Sequence, residues 1–267
     1  MRVRWIAAAL TLALCFSLAA CGHPPVSEEQ EEDLTILRIG NDDYEPYSYL
    51  DETGDFTGID VDLAKEACRR LGYRPEFHQV VWENKDQELA AGNIDCLWGS
   101  FTMTGREDLY QWAGPYLYSR QVVAVRTDSG IQTLADLAGR RVAVQATGKP
   151  ESIFLTSDAP GIAQVEAVYS FSTMDEVYAC LRKGYADAIA GHENALGLFL
   201  ASSPGSYRML DETLDVSQLG VAFQKDTHQE LAQALTQTLA EMEADGTTRA
   251  ILERYGLDAD RALGVTP

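Results

Sequence analysis

Four charged or titratable residues in this sequence suit work on a small polar molecule: Arg106, Lys149, His192 and Glu193. A guanidinium presents a planar fork of donors that matches a carboxylate two bonds at a time, the task Arg106 would suit. The run Gln145-Ala146-Thr147-Gly148-Lys149-Pro150 places backbone N–H groups beside a helix start, where an anion can be held, and Lys149 adds charge there. His192 and Glu193 stand together and offer acid–base groups. Tyr44, Trp82 and Trp98 supply large apolar contact area and ring faces that attract a cation. No nucleophile–base pair, metal-ligand cluster or glycine-rich phosphate loop accompanies them. Capture therefore fits better than turnover, and no cofactor or metal is expected.

These groups fall in loops of an α/β alternation. A strand over Thr35–Ile39 runs into the turn-forming loop Gly40–Tyr47, and Tyr49 to Gly54 reads as a tight hairpin. Gly58 opens a helix whose early Asp60 and Asp62 favour the N-terminal dipole. Leu63, Ala64, Ala67, Cys68 and Leu71 recur on one face of it, and Gly72 ends it. A strand over Arg74–Val81, a short helix from Trp82 through Leu89, and a strand over Ile94–Trp98 complete one half. The second half has strands over Gln121–Val125, Val142–Val144, Gln164–Tyr169 and Ala186–Ala190, with a helical turn at Leu134–Leu137. Pro150 is suited to the first position of a helix. Another helix is capped at Ser172 or Thr173 and buries Met174, Val177, Tyr178 and Leu181. A strand over Gly220–Phe223 and helices over Glu230–Glu243 and Thr247–Tyr255 close the chain. Two similar α/β units with a late return predict two lobes, each a mixed sheet flanked by helices, joined by two crossing strands. Ligands in such sheets sit beyond the carboxyl ends of strands, which points to the loops after Ile39, Trp98, Val144 and Ala190.

The first 20 residues read as a signal peptide. Arg2 and Arg4 precede an apolar run from Trp5 to Ala20, shorter than the roughly 20 residues that span a membrane. The sequence Leu18-Ala19-Ala20-Cys21 resembles a bacterial lipobox, which implies cleavage before Cys21 and lipidation of its thiol. Residues 21–33 contain prolines and then five acidic residues, the composition of a disordered, self-repelling tether. The expected place is the outer face of the cell membrane, attached by lipid alone. Removing the two signal arginines leaves 19 basic against 41 acidic residues, a net charge of −22. That balance argues against a nucleic-acid partner. Cys68, Cys96 and Cys180 are odd in number and form no Cys-x-x-Cys pair, so neither a disulfide framework nor a zinc site is suggested. A Cys68–Cys96 bridge and buried free thiols both fit.

Three stretches carry a family resemblance: Gly58-Ile59-Asp60-Val61-Asp62-Leu63; Ile94-Asp95-Cys96-Leu97-Trp98-Gly99 on to Arg106 and Trp112-Ala113-Gly114-Pro115-Tyr116; and Val142-Ala143-Val144-Gln145 with Ala186-Asp187-Ala188-Ile189. In this order the set resembles the polar amino-acid family (family 3) of extracellular solute-binding proteins of ABC transporters, with the type II periplasmic-binding-protein fold. The resemblance implies a first lobe over 34–119, a second over 120–216 and a return over 217–267. It also implies closure around a small ligand, docking on ABC permease subunits, and a monomer. Arg106 falls where the family binds the ligand α-carboxylate, and Tyr44, Trp82 and Trp98 fall at pocket walls.

Departures from the pattern bear on the cargo. In the loop after Gly99, Phe101 and Met103 take places where the family has hydroxyl residues, and Ser100, Thr102 and Thr104 stand one step away. On an extended segment such a slip reverses the facing side. Thr147-Gly148 stands where the family tends to have Gly-Thr. His192 falls where the family has the Asp that pairs with an α-ammonium, with Glu193 next to it. The implied function is capture of an amino acid or related carboxylated solute for an ABC importer. Two alternatives remain: sensing on behalf of a separate receptor, and a cyclohexadienyl-dehydratase-like enzyme on the same fold.

Overall fold

A computed structural model describes residues 34–156, 162 and 164–264. The signal segment, Cys21 and the acidic tether lie outside the described residues.

The sheet is organised around two long antiparallel strands, β6 (Gln111–Arg126) and β10 (Tyr207–Phe223). On one side of this pair lie β1 (Thr35–Asn41), β4 (Tyr73–Gln79) and β5 (Cys96–Leu97); on the other lie β7 (Arg141–Gln145), β8 (Ala167–Phe171) and β9 (Ala188–His192). The order is β4-β1-β5-β10-β6-β9-β7-β8. Within each outer group the neighbours run parallel. A separate hairpin pairs β2 (Tyr49–Leu50) with β3 (Phe56–Thr57). The result is a two-lobed α/β fold whose halves share the β6–β10 pair.

Only short pieces of β6 and β10 were legible as strands. Both run 16 residues or more, roughly 50 Å at strand rise. Their apolar alternation is broken in the middle, at Tyr118-Ser119-Arg120 and at Asp215 to Gln218, by polar residues. Backbone pairing continues through that stretch, with Ser119 opposite Ser217, and the ladder absorbs the irregularity in register shifts near Met209, Asp215 and Leu219.

Helices cover both halves. α1 (Ile59–Leu71) buries Ile59, Val61, Leu63, Ala64, Ala67 and Cys68, and left-handed Gly72 closes it with its N–H on the Cys68 carbonyl. Asp60 stands in its first turn, as expected at the dipole. It is fully buried, and its Oδ2 accepts the Ser100 backbone N–H at 2.5 Å. A one-turn 3₁₀ segment, Trp82–Asn84, leads into α2 (Lys85–Ala90). In the other half, α3 (Lys149–Thr156) begins at Lys149, so Pro150 is its second residue; no intrahelical N–H is needed there either. Thr173 caps α4 (Met174–Arg182) in a reciprocal box with Glu176. Cys180 takes the buried place expected of Tyr178, which is half-buried and stacks on Phe199 at 4.5 Å. α5 (Glu193–Ala201) follows β9 directly, and α6 (Gln229–Ala244), α7 (Thr247–Arg254) and α8 (Ala259–Ala262) return to the first half.

One core joins α1, β1, α6 and the centre of the sheet; a second lies around Val123, Val125, Leu137, Val142, Val144 and Phe154. Cys68, Cys96 and Cys180 are buried free thiols. Burial pushes the Cys68 thiol up to about 12, which keeps it protonated and inert.

Candidate functional site

The loops after β1, β5, β7 and β9 converge on one cleft between the two halves. Its walls include Tyr44, Trp82, Gly99, Ser100, Phe101, Arg106, Gln145, Thr147, Gly148, Lys149 and His192, together with Asp42, Thr102, Pro150, Ala190 and Gly191. The free space is about 30 Å³, room for roughly two waters. Small-molecule sites offer roughly 300–1,000 Å³, so a solute enters only if the walls part.

Direct bonds tie the walls together. Gln145 Nε2 donates to Asp42 Oδ2 at 2.6 Å, the His192 backbone N–H to the Tyr44 hydroxyl at 3.2 Å, and Lys149 Nζ to the Thr104 carbonyl at 3.1 Å. Thr147 takes two more. Its hydroxyl accepts from Lys85 Nζ at 3.0 Å and its carbonyl from Arg106 Nη2 at 3.2 Å.

Arg106 is half-buried. Its other donor goes to the Thr102 carbonyl at 3.2 Å, and its guanidinium lies 5.5 Å from the centre of the Phe101 ring. Burial lowers its pKa, yet a guanidinium stays charged in proteins. Both protein acceptors are backbone carbonyls. No carboxylate pairs with it among the described residues.

The loop after β5 resolves the slipped hydroxyls. β5 ends at Leu97, and Ser100 adopts a left-handed conformation with φ 46°. Facing therefore does not alternate, and Ser100, Phe101 and Thr102 all reach the cleft wall. Thr104 turns to the crossing strand and accepts the Gln218 N–H at 2.9 Å, while Met103 packs beside Gly220. Phe101 fills the wall edge-on to Trp82 at 5.1 Å.

Two of the sequence-derived candidates stand elsewhere. Trp98 is fully buried behind the loop, 5.9 Å from the Tyr116 ring, on the core side of its strand end. Glu193 turns away from the cleft as α5 begins, and its Oε1 lies 3.0 Å from Arg261 and 3.4 Å from Arg120. The backbone donors beside α3 are also engaged. Thr147 N–H goes to Glu151 at 2.6 Å and Gly148 N–H to the Gln145 carbonyl at 3.2 Å.

His192 closes the inner end. Its Nδ1 lies 2.9 Å from Ser119 Oγ, and Tyr44 and Tyr47 flank the ring edge-on at 5.6 and 5.4 Å. Burial pushes its pKa down to about 3, with the Ser100 carbonyl acting weakly the other way, so the imidazole is neutral at physiological pH. Asp42, which sequence reasoning left inside a turn, is the acidic residue of the cleft wall. Burial raises its pKa to about 6 against the opposing Gln145 bond. Deeper, burial raises Asp60 to about 7. The sequence signal for Asp42 was its place in the loop beyond β1, at a strand's carboxyl end.

Residues 37–258 match the model of bacterial extracellular solute-binding proteins, family 3. The histidine-binding periplasmic protein of Salmonella typhimurium is 30% identical over 263 residues, covering 94% of this chain and 96% of that protein. Among solved structures, an ancestral arginine-binding protein bound to arginine superposes with a TM-score of 0.75 at 28% identity, over 82% of this chain and 97% of that one. An ancestral amino acid-binding protein described as a precursor of cyclohexadienyl dehydratase gives 0.73 at 27%, over 82% of this chain and 95% of that one.

Proposed function

The chain belongs to the family 3 bacterial extracellular solute-binding proteins, and from that premise we propose that it captures a small carboxylated solute, an amino acid or a close relative, for an ABC importer. The observation that carries the reading is Arg106, a guanidinium in the cleft wall whose protein acceptors are two backbone carbonyls. A solute carboxylate is a stronger, charge-assisted acceptor than either. Opening the cleft breaks the bonds from Arg106 and Lys85 to Thr147 and from Gln145 to Asp42; a bound solute replaces them.

The lobes divide at the Ser119–Ser217 pair, with 34–119 and 217–267 forming one lobe and 120–216 the other. They part about that pair, the point where two single strands carry the chain between lobes. Tyr44, Trp82 and Phe101 provide apolar walls, and Asp42 with Gln145 provides the polar end. The protein works as a monomer tethered through lipidated Cys21 and residues 22–33, which hold it near its permease. It acts as a binder rather than an enzyme, a reading supported by its family and by the histidine-binding relative.

A thermal-melt screen of the purified protein against amino acids, amines and small carboxylates tests the reading. At least one carboxylated member raises the melting temperature. A flat response across the panel refutes capture of such a solute.

A further inference from the structure

Lys85 is a buried cation that neither the fold nor the capture of one carboxylate requires. Its side chain is 4% exposed. The ammonium sits 5.4 Å from the Trp82 ring and 5.7 Å from the Phe101 ring, both cleft walls. Its hydrogen bond goes to the Thr147 hydroxyl, across the cleft. The nearest carboxylate, Asp86, stands 3.6 Å away, is 59% exposed, and also holds the Tyr110 hydroxyl at 2.5 Å. Its charge is therefore shared with solvent and with Tyr110.

Burying an ammonium is costly, and one exposed carboxylate, two ring faces and a hydroxyl recover only part of that. Here the cost is increased by Arg106. Lys85 and Arg106 donate to two oxygens of one residue, Thr147, and share the Phe101 ring, so two like charges lie close together. Burial lowers the Lys85 pKa, Asp86 and Asp42 oppose that, and the neighbouring Arg106 charge adds to the lowering, which prevails. Against this pair the cleft wall supplies one carboxylate, Asp42, already bonded to Gln145.

We propose that Lys85 and Arg106 together form a two-cation site that selects a solute with two acidic groups, one carboxylate on Arg106 and the other on Lys85. Acidic amino acids such as aspartate and glutamate, and the corresponding dicarboxylic acids, share this chemistry. The proposal rests on the capture reading above and narrows it. A cationic side chain, as in the histidine and arginine of the relatives' names, would meet Lys85 with like charge. Separation of the walls removes Thr147 from both cations at once, and a diacid supplies both acceptors in return.

Calorimetric titration of the purified protein with L-aspartate, L-glutamate, glutarate, L-glutamine, L-histidine and L-arginine tests this, on wild type, Lys85→Met and Arg106→Ala. The expected result is that a diacid binds about tenfold or more tighter than glutamine, histidine or arginine. Lys85→Met then weakens the diacid about tenfold while leaving glutamine within about twofold. Tighter binding of glutamate than glutarate assigns an amino acid, and the reverse a dicarboxylic acid; both support the two-cation site. Tightest binding of a neutral or cationic amino acid, lost in Arg106→Ala, overturns the proposal and leaves capture standing. Equal weakening of every ligand by Lys85→Met makes Lys85 a latch on Thr147 and also overturns it. Binding of no member by wild type overturns this proposal, and the wider melt screen then decides the capture reading. If Lys85→Met does not fold, the wild-type ranking alone decides.

Discussion

Tyr44 and His192 meet across the cleft, the Tyr44 hydroxyl accepting the His192 backbone N–H at 3.2 Å while the two rings pack edge to face at 5.6 Å. The contact depends on the glycine before it: a Cβ on Gly191 would lie 2.9 Å from the Tyr44 hydroxyl. Gly191→Ala is therefore expected to destabilise the protein by about 1–3 kcal/mol. Tyr44→Phe alone costs about 1–3 kcal/mol by leaving the His192 N–H unpaired. In the double variant the clash is gone, so its loss is smaller than the sum of the two single losses. Urea denaturation of the four proteins measures this, and strict additivity would show that the two positions do not touch.

Two buried carboxylates set a pH dependence. Burial raises Asp42 to about 6 and Asp60 to about 7, above the ordinary aspartate value of 3.8. The folded protein thus holds more protons than the unfolded chain between about pH 4 and 7, and their contribution to stability falls as pH rises through that window. His192, depressed to about 3, works the other way: its contribution is complete above about pH 6.5 and is lost on acidification. Asp60→Asn keeps an acceptor for the Ser100 N–H and removes one titration. Its melting temperature, relative to wild type, is expected to be higher at pH 8 than at pH 5. A constant difference across that range would place Asp60 in contact with solvent.

Gly58 precedes α1 with φ 122°, and a Cβ there would lie 2.4 Å from the Tyr47 carbonyl oxygen. That carbonyl also accepts the Asp60 N–H at 2.8 Å, so it is not free to move. Gly58→Ala is expected to cost roughly 3 kcal/mol or more. Chemical denaturation reads the loss directly, and a change below about 1 kcal/mol would mean that the turn relaxes at little cost.

The tether makes a separate prediction. Cys21→Ser removes the thiol that lipidation needs, and the protein is then expected in the soluble extracytoplasmic fraction rather than with membranes. Unchanged membrane association of the variant would contradict a lipid anchor.

The sequence made the α/β alternation legible because short apolar strands and amphipathic helices each carry their own period, as in α1 and α4. It hid the length of β6 and β10, since Ser119, Arg120 and Ser217 are polar residues whose strand pairing comes from the partner strand rather than from local pattern. Most cleft residues were readable from their places beyond strand ends. Trp98 and Glu193 were not, because one residue of rotation at a strand end decides between cleft and core. Ser100 shows the converse. Its positive φ cancels the alternation that would have turned it away. Lys85 and Asp42 went unread because a charged residue in a loop looks solvated until the opposite lobe covers it.

The central claim is that Arg106 holds a solute carboxylate. Isothermal titration of the ligand found by the melt screen into wild type and Arg106→Ala, with the unliganded melting temperatures compared, tests it most directly. The expected result is binding to wild type, loss of about 2 kcal/mol or more in the variant, and matching unliganded melts. Equal affinity of the two proteins for a carboxylated ligand would contradict it.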